Sequence, residues 1–271
     1  MRAPFAILLF SIYSFSPALL AQKPADPKVV TATVLLHSKT TPDEKALLQS
    51  LKNTWKVKVE GEKSADKTLV FNTSGGATVM IAYLDYPAAP DEVGAAARLS
   101  WLWQGAQTET GKHQAQVIIS VIGTENQTLE LYKILTQSVA ATLENSRAAG
   151  VFMSSQYLLL SKDYFLAAAR NMVQNQTIPL YCWVYFGRPG GSNGFTYGLQ
   201  EFGMSELEIV NSARTEAEVH STLYDAAMSL VKYNTRLQDG QAVTTEEGAK
   251  IPVKLAPGTH LTEQKVLKLE F

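Results

Sequence analysis

The stretch AQVIISVIG, residues 115–123, decides the fold prediction. It is apolar and rich in β-branched residues, which is typical of a buried strand. A helix is predicted for the next segment, 127–147, because its apolar residues recur at helical spacing and form a stripe of Leu131, Leu135, Val139 and Leu143. A second strand-plus-helix unit lies near the start of the chain, where VTATVLLHS, residues 30–38, precedes a helix predicted for 41–55.

Capping boxes mark the beginnings of two predicted helices. In the first, Thr41 is the expected N-cap and Glu44 is the residue three positions later. In the second, Thr215 and Glu218 have the same spacing, and an apolar stripe follows them. The sequence therefore predicts helices that begin after Thr41 and Thr215.

The order of the predicted elements sets the fold class. Strands outnumber helices and occur in adjacent runs, which favours an α+β fold with mixed, largely antiparallel sheets and packed helices over a doubly wound parallel sheet. The repeated strand-plus-helix unit suggests two ferredoxin-like (split βαβ) halves. We place these halves at residues 28–148 and 149–271.

The first residues have the pattern of a secretory signal peptide, predicted for residues 1–21. Arg2 supplies a positive charge, and 4–20 is apolar or small before a cleavage site after Ala21. The alternative is an uncleaved anchor, but a spanning helix needs about 20 well-filled apolar residues, and this stretch is shorter and contains serines and prolines. We expect a secreted or periplasmic protein with a tether at 22–27 and no stable membrane insertion after leader cleavage.

Composition excludes several classes of function. The chain has 24 basic and 25 acidic residues, a net charge of −1, so it has no electrostatic footprint for nucleic acid. One cysteine, Cys182, cannot form an internal disulfide, and its apolar neighbours indicate a core residue. The four histidines lack metal-ligand spacing, and no phosphate-binding glycine motif occurs, so we expect no metal and no cofactor.

The segment TYGLQEFGMSELEIV, residues 196–210, resembles the bacterial family of unknown function numbered 4261 (DUF4261). The resemblance extends more weakly over most of residues 28–250. Ser205 departs from the proline that many members have there. Because the family has no established activity, the resemblance implies a shared fold and no chemistry. The positions that match the family pattern are Thr196, Gly198, Leu199, Phe202, Gly203, Glu206, Leu207 and Glu208.

Three glutamates of this segment are candidate site residues. In a strand, Glu206 and Glu208 would point to one face about 7 Å apart, close enough for an acid–base pair or a cation site. His113 heads a predicted strand and could pair with Glu201 or Glu206, which would suit a hydrolase. The alternative is a half-exposed strand whose acids face water, and we expect this second arrangement.

An aromatic strand offers a candidate binding surface. If residues 178–188 form a strand, Tyr181, Trp183 and Tyr185 share one face, and exposed aromatic patches mark interaction sites. The alternative is a sheet that helices bury on both sides. Together with Glu206 and Glu208, these aromatic residues predict a non-catalytic binding or interaction protein of the bacterial envelope. Its expected partner is an unknown protein or a cell-wall or glycan ligand, and the alternative function is the hydrolase.

Overall fold

The computed structural model describes residues 26–245 and 248–271. The predicted signal peptide and residues 22–25 of the predicted tether lie outside the described residues. Within the described part of the chain, no helix is both long enough and apolar enough to cross a membrane.

The larger of two sheets has seven strands, and every neighbouring pair is antiparallel. Its strands are β1 (Pro27–Leu36), β2 (Val59–Ala65), β3 (Thr68–Thr73), β4 (Thr78–Leu84), β5 (Ala115–Thr124), β6 (Ala148–Met153) and β7 (Leu158–Ser161). They lie in the order β2, β3, β4, β5, β1, β6, β7. The predicted strand 115–123 is therefore β5, next to the centre of the sheet.

Six α-helices occur in the described residues: α1 (Glu44–Gln49), α2 (Pro90–Leu99), α3 (Ala106–Thr110), α4 (Thr128–Glu144), α5 (Lys162–Asn175) and α6 (Glu216–Tyr233). The capping box at Thr215 and Glu218 is confirmed, since each side chain bonds to the other's backbone N–H. The box predicted at Thr41 is wrong: the Asp43 carboxylate accepts from the Ala46 N–H and caps α1. Asp and Thr are both good N-caps, so the sequence alone left this choice open.

The two faces of the larger sheet are covered differently. Helices α4 and α5 pack on one face, where the alternating apolar residues of β1, β3, β4 and β5 form the main core. Helices α2 and α3 pack on the other face near β6 and β7, over a small second core that includes Leu35, Phe152 and Leu159. No described helix covers the rest of that second face, over β1 and β3–β5.

The larger sheet contains one split βαβ unit. Strands β5 and β6 are both antiparallel to β1, which lies between them, and α4 connects them. The other predicted unit does not form, because β1 and α1 lead to β2 at the far edge of the sheet. The predicted division between residues 148 and 149 falls within strand β6 (Ala148–Met153) of this sheet.

The smaller sheet has six strands: β8 (Tyr185–Gly187), β9 (Gly194–Tyr197), β10 (Leu207–Ile209), β11 (Ala242–Thr244), β12 (Lys250–Pro257) and β13 (Lys265–Leu269). Their order is β11, β12, β13, β10, β9, β8, and only the β10–β13 pair is parallel. Helix α6 lies close to β9, since a Cβ added at Gly194 would be 2.7 Å from Leu223 Cδ1. The predicted α+β fold with largely antiparallel sheets is confirmed.

Candidate functional site

Glu206 is buried and supports the bend between β9 and β10. Its carboxylate accepts hydrogen bonds from the Gly198 N–H at 2.7 Å, the Thr196 hydroxyl at 2.8 Å and the Gln200 N–H at 3.2 Å. Gly198 has a φ of 123°, a conformation that favours glycine, and an added Cβ would meet Gln156 Cγ at 2.8 Å. Burial raises the pKa of Glu206, although these hydrogen bonds oppose the shift.

Glu208 is also buried, and it holds a different segment of the chain. Its carboxylate accepts from the N–H groups of Thr259, His260 and Leu261, at distances of 2.9 to 3.2 Å. Lys268 Nζ lies 4.0 Å from the same carboxylate. Successive N–H groups that converge on one carboxylate form the kind of concavity that binds anions. Glu208 therefore fixes the loop between β12 and β13.

The expectation that the two glutamates face water is wrong. Glu206 is 1% exposed and Glu208 is 0% exposed, so a partner at the surface cannot contact either carboxylate. Glu208 is satisfied without water by backbone N–H groups 51 to 53 positions away. Glu206 is satisfied by the Thr196 hydroxyl and two backbone N–H groups of the adjoining bend. The two glutamates of the family pattern Thr-x-Gly-Leu-x-x-Phe-Gly thus have a structural role. Their hydrogen bonds hold the bend between β9 and β10 and the loop between β12 and β13.

The aromatic strand also differs from the prediction. Residues 180–182 form a 3-10 turn, because Pro179 has no N–H and the Leu180 carbonyl accepts from both Trp183 and Val184. Trp183 is 1% exposed, and its indole N–H donates to the Thr136 hydroxyl at 2.8 Å in the core. The prediction that Tyr181, Trp183 and Tyr185 share one face of a strand is therefore wrong. Tyr181 and Tyr185 are half-buried and remain near the surface.

Tyr181 belongs to an aromatic cluster next to α6. Its ring stacks on Tyr224, with centroids 4.6 Å apart, and on His220, with centroids 5.9 Å apart. Its hydroxyl lies 2.8 Å from His220 Nε2. Burial raises the pKa of Tyr181 to about 12 and lowers the pKa of His220, so both groups are neutral near neutral pH. Tyr181 and His220 therefore form a hydrogen bond between two uncharged groups.

The proposed pairing of His113 with a glutamate does not form. The ring nitrogens of His113 contact the carbonyl oxygens of Thr110 and Ala88, near the end of β1. Glu201 bonds to Lys28 at 2.7 Å, near the start of β1. Gln114, next to His113, bonds to Leu36, and Leu36 is eight residues from Lys28, which is about 26 Å at about 3.3 Å per residue. Neither Glu201 nor Glu206 is within hydrogen-bonding reach of His113.

Two further kinds of chemistry can be judged for the described residues, namely a nucleophilic cysteine and a metal site. Cys182 is buried, and burial raises the pKa of its thiol, which is the opposite of what a nucleophilic cysteine needs. Among residues 26–245 and 248–271, no group of three or more His, Cys, Asp or Glu side chains is placed to hold a metal ion.

Two clefts of about 640 Å³ each lie side by side at the surface. The motif cleft lies between the first turn of α4 and the bend of the family segment, and its main lining residues are Lys28, Glu125, Glu130, Glu201, Phe202, Gly203, Lys232 and Arg236. The aromatic cleft lies between α4, α5 and α6, and its main lining residues are Leu129, Lys133, Tyr164, Ala168, Ile178, Tyr181, Tyr224, Met228 and Lys232. Leu129 and Lys232 line both clefts, so the two clefts are neighbours, and we call the pair of clefts the long groove.

Most lining residues of the long groove were not identified from the sequence. One signal was present: Tyr224, Met228 and Lys232 are spaced by four residues and thus share one face of α6. Only Tyr181 and Glu201 belong to both the predicted sites and the long groove. The other lining residues come from elements far apart in the chain.

The fold and these contacts define a class of α+β protein. In its smaller sheet, two buried glutamates hold a bend and a loop through hydrogen bonds, and an open groove lies beside them. The family model for a domain of unknown function (DUF4261) matches residues 195–270, which supports the family assignment. This match includes the 196–210 segment and runs from β9 through α6 to β13. No curated protein and no solved structure matches the chain.

Proposed function

We propose that the protein is a non-catalytic binding protein of the bacterial envelope and that it holds a polypeptide segment of a partner protein in the long groove. The observation that carries this proposal is that two clefts of about 640 Å³ each adjoin at Leu129 and Lys232. Small-molecule sites are usually enclosed pockets, whereas an extended, open groove suits an extended ligand. The envelope location rests on the predicted signal peptide alone.

The lining of the groove favours a polypeptide over a cell-wall glycan. A sugar ring needs the free face of an aromatic side chain, and of the three tyrosines in the aromatic cleft Tyr181 and Tyr224 stack on each other, with Tyr181 also on His220. The aromatic cleft instead offers Leu129, Ile178 and Met228 to apolar side chains. Methionine is frequent at surfaces that accept varied peptides.

The motif cleft supplies charges of both signs for the same ligand. Lys28 and Glu201 form an ion pair at 2.7 Å, and Glu130 pairs with Lys133 at 2.6 Å. Lys232 and Arg236 are exposed at the other side of the cleft. A peptide that carries both acidic and basic side chains would find partners in this cleft, and such contacts contribute mainly to specificity.

The hydrolase alternative has no support from a specific arrangement of residues. Its acid–base pair is absent in the structure, since His113 contacts backbone carbonyl groups and Glu206 contacts backbone N–H groups. A catalytic pair needs an acid and a base within reach of one reacting group. We therefore propose binding and not hydrolysis.

The test uses two matched substitutions in α5. Ala168 lines the aromatic cleft, whereas the preceding Ala167 is exposed outside it. We expect Ala168→Arg to fill the cleft and to abolish capture of a partner from an envelope extract by the mature protein. Ala167→Arg adds the same charge to the same helix and should capture the partner like the wild type.

A captured partner is then purified and its affinity is measured by calorimetry with the wild type and both variants. At least a tenfold loss for Ala168→Arg alone supports the proposal. Equal affinity of the two variants, or binding to purified cell-wall glycan in place of a protein, contradicts it. Melting curves establish beforehand that both variants are folded.

A further inference from the structure

Two tyrosines lie together at the surface, next to the bend of the family segment. The rings of Tyr157 and Tyr197 are in contact, with centroids 6.1 Å apart and planes tilted by 54°. Tyr157 is 46% exposed, and Tyr197 is partly exposed. In the described part of the chain, no other aromatic ring contacts either of them. We call these two side chains the tyrosine pair.

The backbone of Tyr157 is strained. Its φ of 49° and ψ of 33° are left-handed, a conformation that is unfavourable for a bulky side chain. Tyr157 is the one aromatic residue with a positive φ among the described residues. Glycine or asparagine would fit this turn with less strain, and strained residues are frequent at ligand sites. The turn itself therefore does not explain a tyrosine at this position.

The tyrosine pair is not occupied by a cation of the chain itself. The face of an aromatic ring attracts a cation within about 6 Å. Elsewhere in the protein, Lys232 Nζ lies 5.1 Å from the ring centre of Tyr233, and Arg188 Cζ lies 5.3 Å from that of Trp101. Across residues 26–245 and 248–271, no basic group lies over either ring of the tyrosine pair. Its rings are thus available to a cation from solution.

The surroundings of the tyrosine pair carry negative charge. Partial burial is the main cause that raises the pKa of Tyr197. Further contributions in the same direction come from Tyr157, Glu206, Glu201 and Glu263. Lys28 pairs with Glu201, but Glu263 is exposed and forms no ion pair with a described residue. A cation at the rings would be stabilised by these carboxylates.

A buried amide adds an unused acceptor beside the tyrosine pair. Gln156 is 2% exposed, and its Nε2 donates to the Tyr132 hydroxyl at 2.7 Å. Its Oε1 is buried and has no hydrogen-bond partner among the described residues. Gln156 precedes Tyr157, and its Cγ would be 2.8 Å from a Cβ added at Gly198, the residue after Tyr197. The amide therefore lies against the backbone that carries both rings.

We infer that the tyrosine pair, together with Glu263, binds an organic cation. Two sources have this chemistry, a small quaternary ammonium compound and the guanidinium group of an arginine side chain. Both are weakly hydrated and can lie on the face of an aromatic ring. The tyrosine pair lines neither cleft of the long groove, so the inference does not depend on the proposed function.

The test is a titration of the mature protein with isotope-labelled tyrosine rings, followed by NMR. The probes are tetramethylammonium chloride and, separately, Nα-acetylarginine amide, at an ionic strength held constant with sodium chloride. We expect saturable shifts of the Tyr157 and Tyr197 ring signals, which Tyr157→Phe and Tyr197→Phe assign. Both Phe variants should bind like the wild type, because each keeps its ring. The probe that saturates at the lower concentration identifies the source of the cation.

Three further variants measure what each part of the site contributes. Tyr157→Asn removes a ring but keeps a residue that tolerates the left-handed backbone, and it should weaken binding about two- to fivefold. Glu263→Gln removes an exposed charge and should weaken binding about twofold. Tyr86→Asn is the matched control, because Tyr86 is a tyrosine of similar exposure (55%) outside the pair, and it should bind like the wild type.

Three results would overturn the inference. The first is that neither probe shifts the two ring signals more than sodium chloride does. The second is that Tyr157→Asn binds as tightly as the wild type, which would place the cation elsewhere. The third is that Tyr86→Asn weakens binding as much as Tyr157→Asn does. Melting curves show which variants are folded, and Tyr197→Thr replaces Tyr157→Asn if the latter is not, since threonine suits a strand.

Discussion

Replacement of Glu206 by alanine tests the structural role of the family segment directly. The Glu206 carboxylate accepts three hydrogen bonds, and two of its donors, the Gly198 N–H and the Thr196 hydroxyl, are buried. The third donor, the Gln200 N–H, lies near the surface and can bond to water after the substitution. Glu206→Ala thus leaves two buried donors without their acceptor.

The expected loss follows from these two donors. A buried donor without an acceptor costs about 1–3 kcal/mol, so Glu206→Ala should lower the free energy of unfolding by about 4 kcal/mol. For a chain of this size, that loss corresponds to a fall in Tm of roughly 8–16 °C. Glu206→Gln keeps an oxygen acceptor for the Gly198 N–H and should lose only about 1 kcal/mol.

Urea unfolding followed by tryptophan fluorescence measures these losses. Trp183 is a suitable reporter, since it is buried and lies near Phe202 in the same bend, with ring centroids 6.1 Å apart. Glu263→Ala, an exposed glutamate in the same part of the chain, is the control and should change stability little. If Glu206→Ala lowers the free energy of unfolding by less than about 1 kcal/mol, the structural role of Glu206 is refuted. A chemical role for Glu206 would then have to be sought.

Two further predictions concern the same region. Because burial raises the pKa of Glu206 above 4.5, the folded state retains its proton as the unfolded chain ionises. The stability of the wild type relative to Glu206→Gln should therefore fall as the pH rises above 4.5, and urea unfolding at several pH values measures the difference. Phe202 stacks on Tyr132 at 4.7 Å and is buried, so Phe202→Ala should lose about 3–5 kcal/mol. An unchanged melting temperature for Phe202→Ala would contradict this core assignment.

Local patterns predicted the elements that depend on neighbouring residues. The apolar run at 115–123 became β5, and the stripe of Leu131, Leu135, Val139 and Leu143 became the buried side of α4. The capping box at Thr215 formed because both of its residues lie within one helical turn. In each case, residues a few positions apart supply the decisive contacts.

The prediction for Glu208 failed because a distant segment decided the outcome. The alternation Glu-Leu-Glu-Ile is what a half-exposed strand shows, yet the loop at 259–261 covers Glu208 and supplies three N–H donors. Nothing near residue 208 in the sequence reveals that loop. The segment at 180–182 failed for a local reason, because Pro179 stops the predicted strand and the chain turns.

The sequence by itself determined the α+β class, the central strand–helix unit and the family assignment, because periodicity and short motifs act over a few residues. Only the tertiary structure decided that Glu206 and Glu208 are buried, that Trp183 is a core residue, and that two clefts adjoin at Leu129 and Lys232. Burial of a carboxylate depends on which backbone donors reach it. In this protein, those donors come from residues up to 53 positions away, as with Leu261 and Glu208.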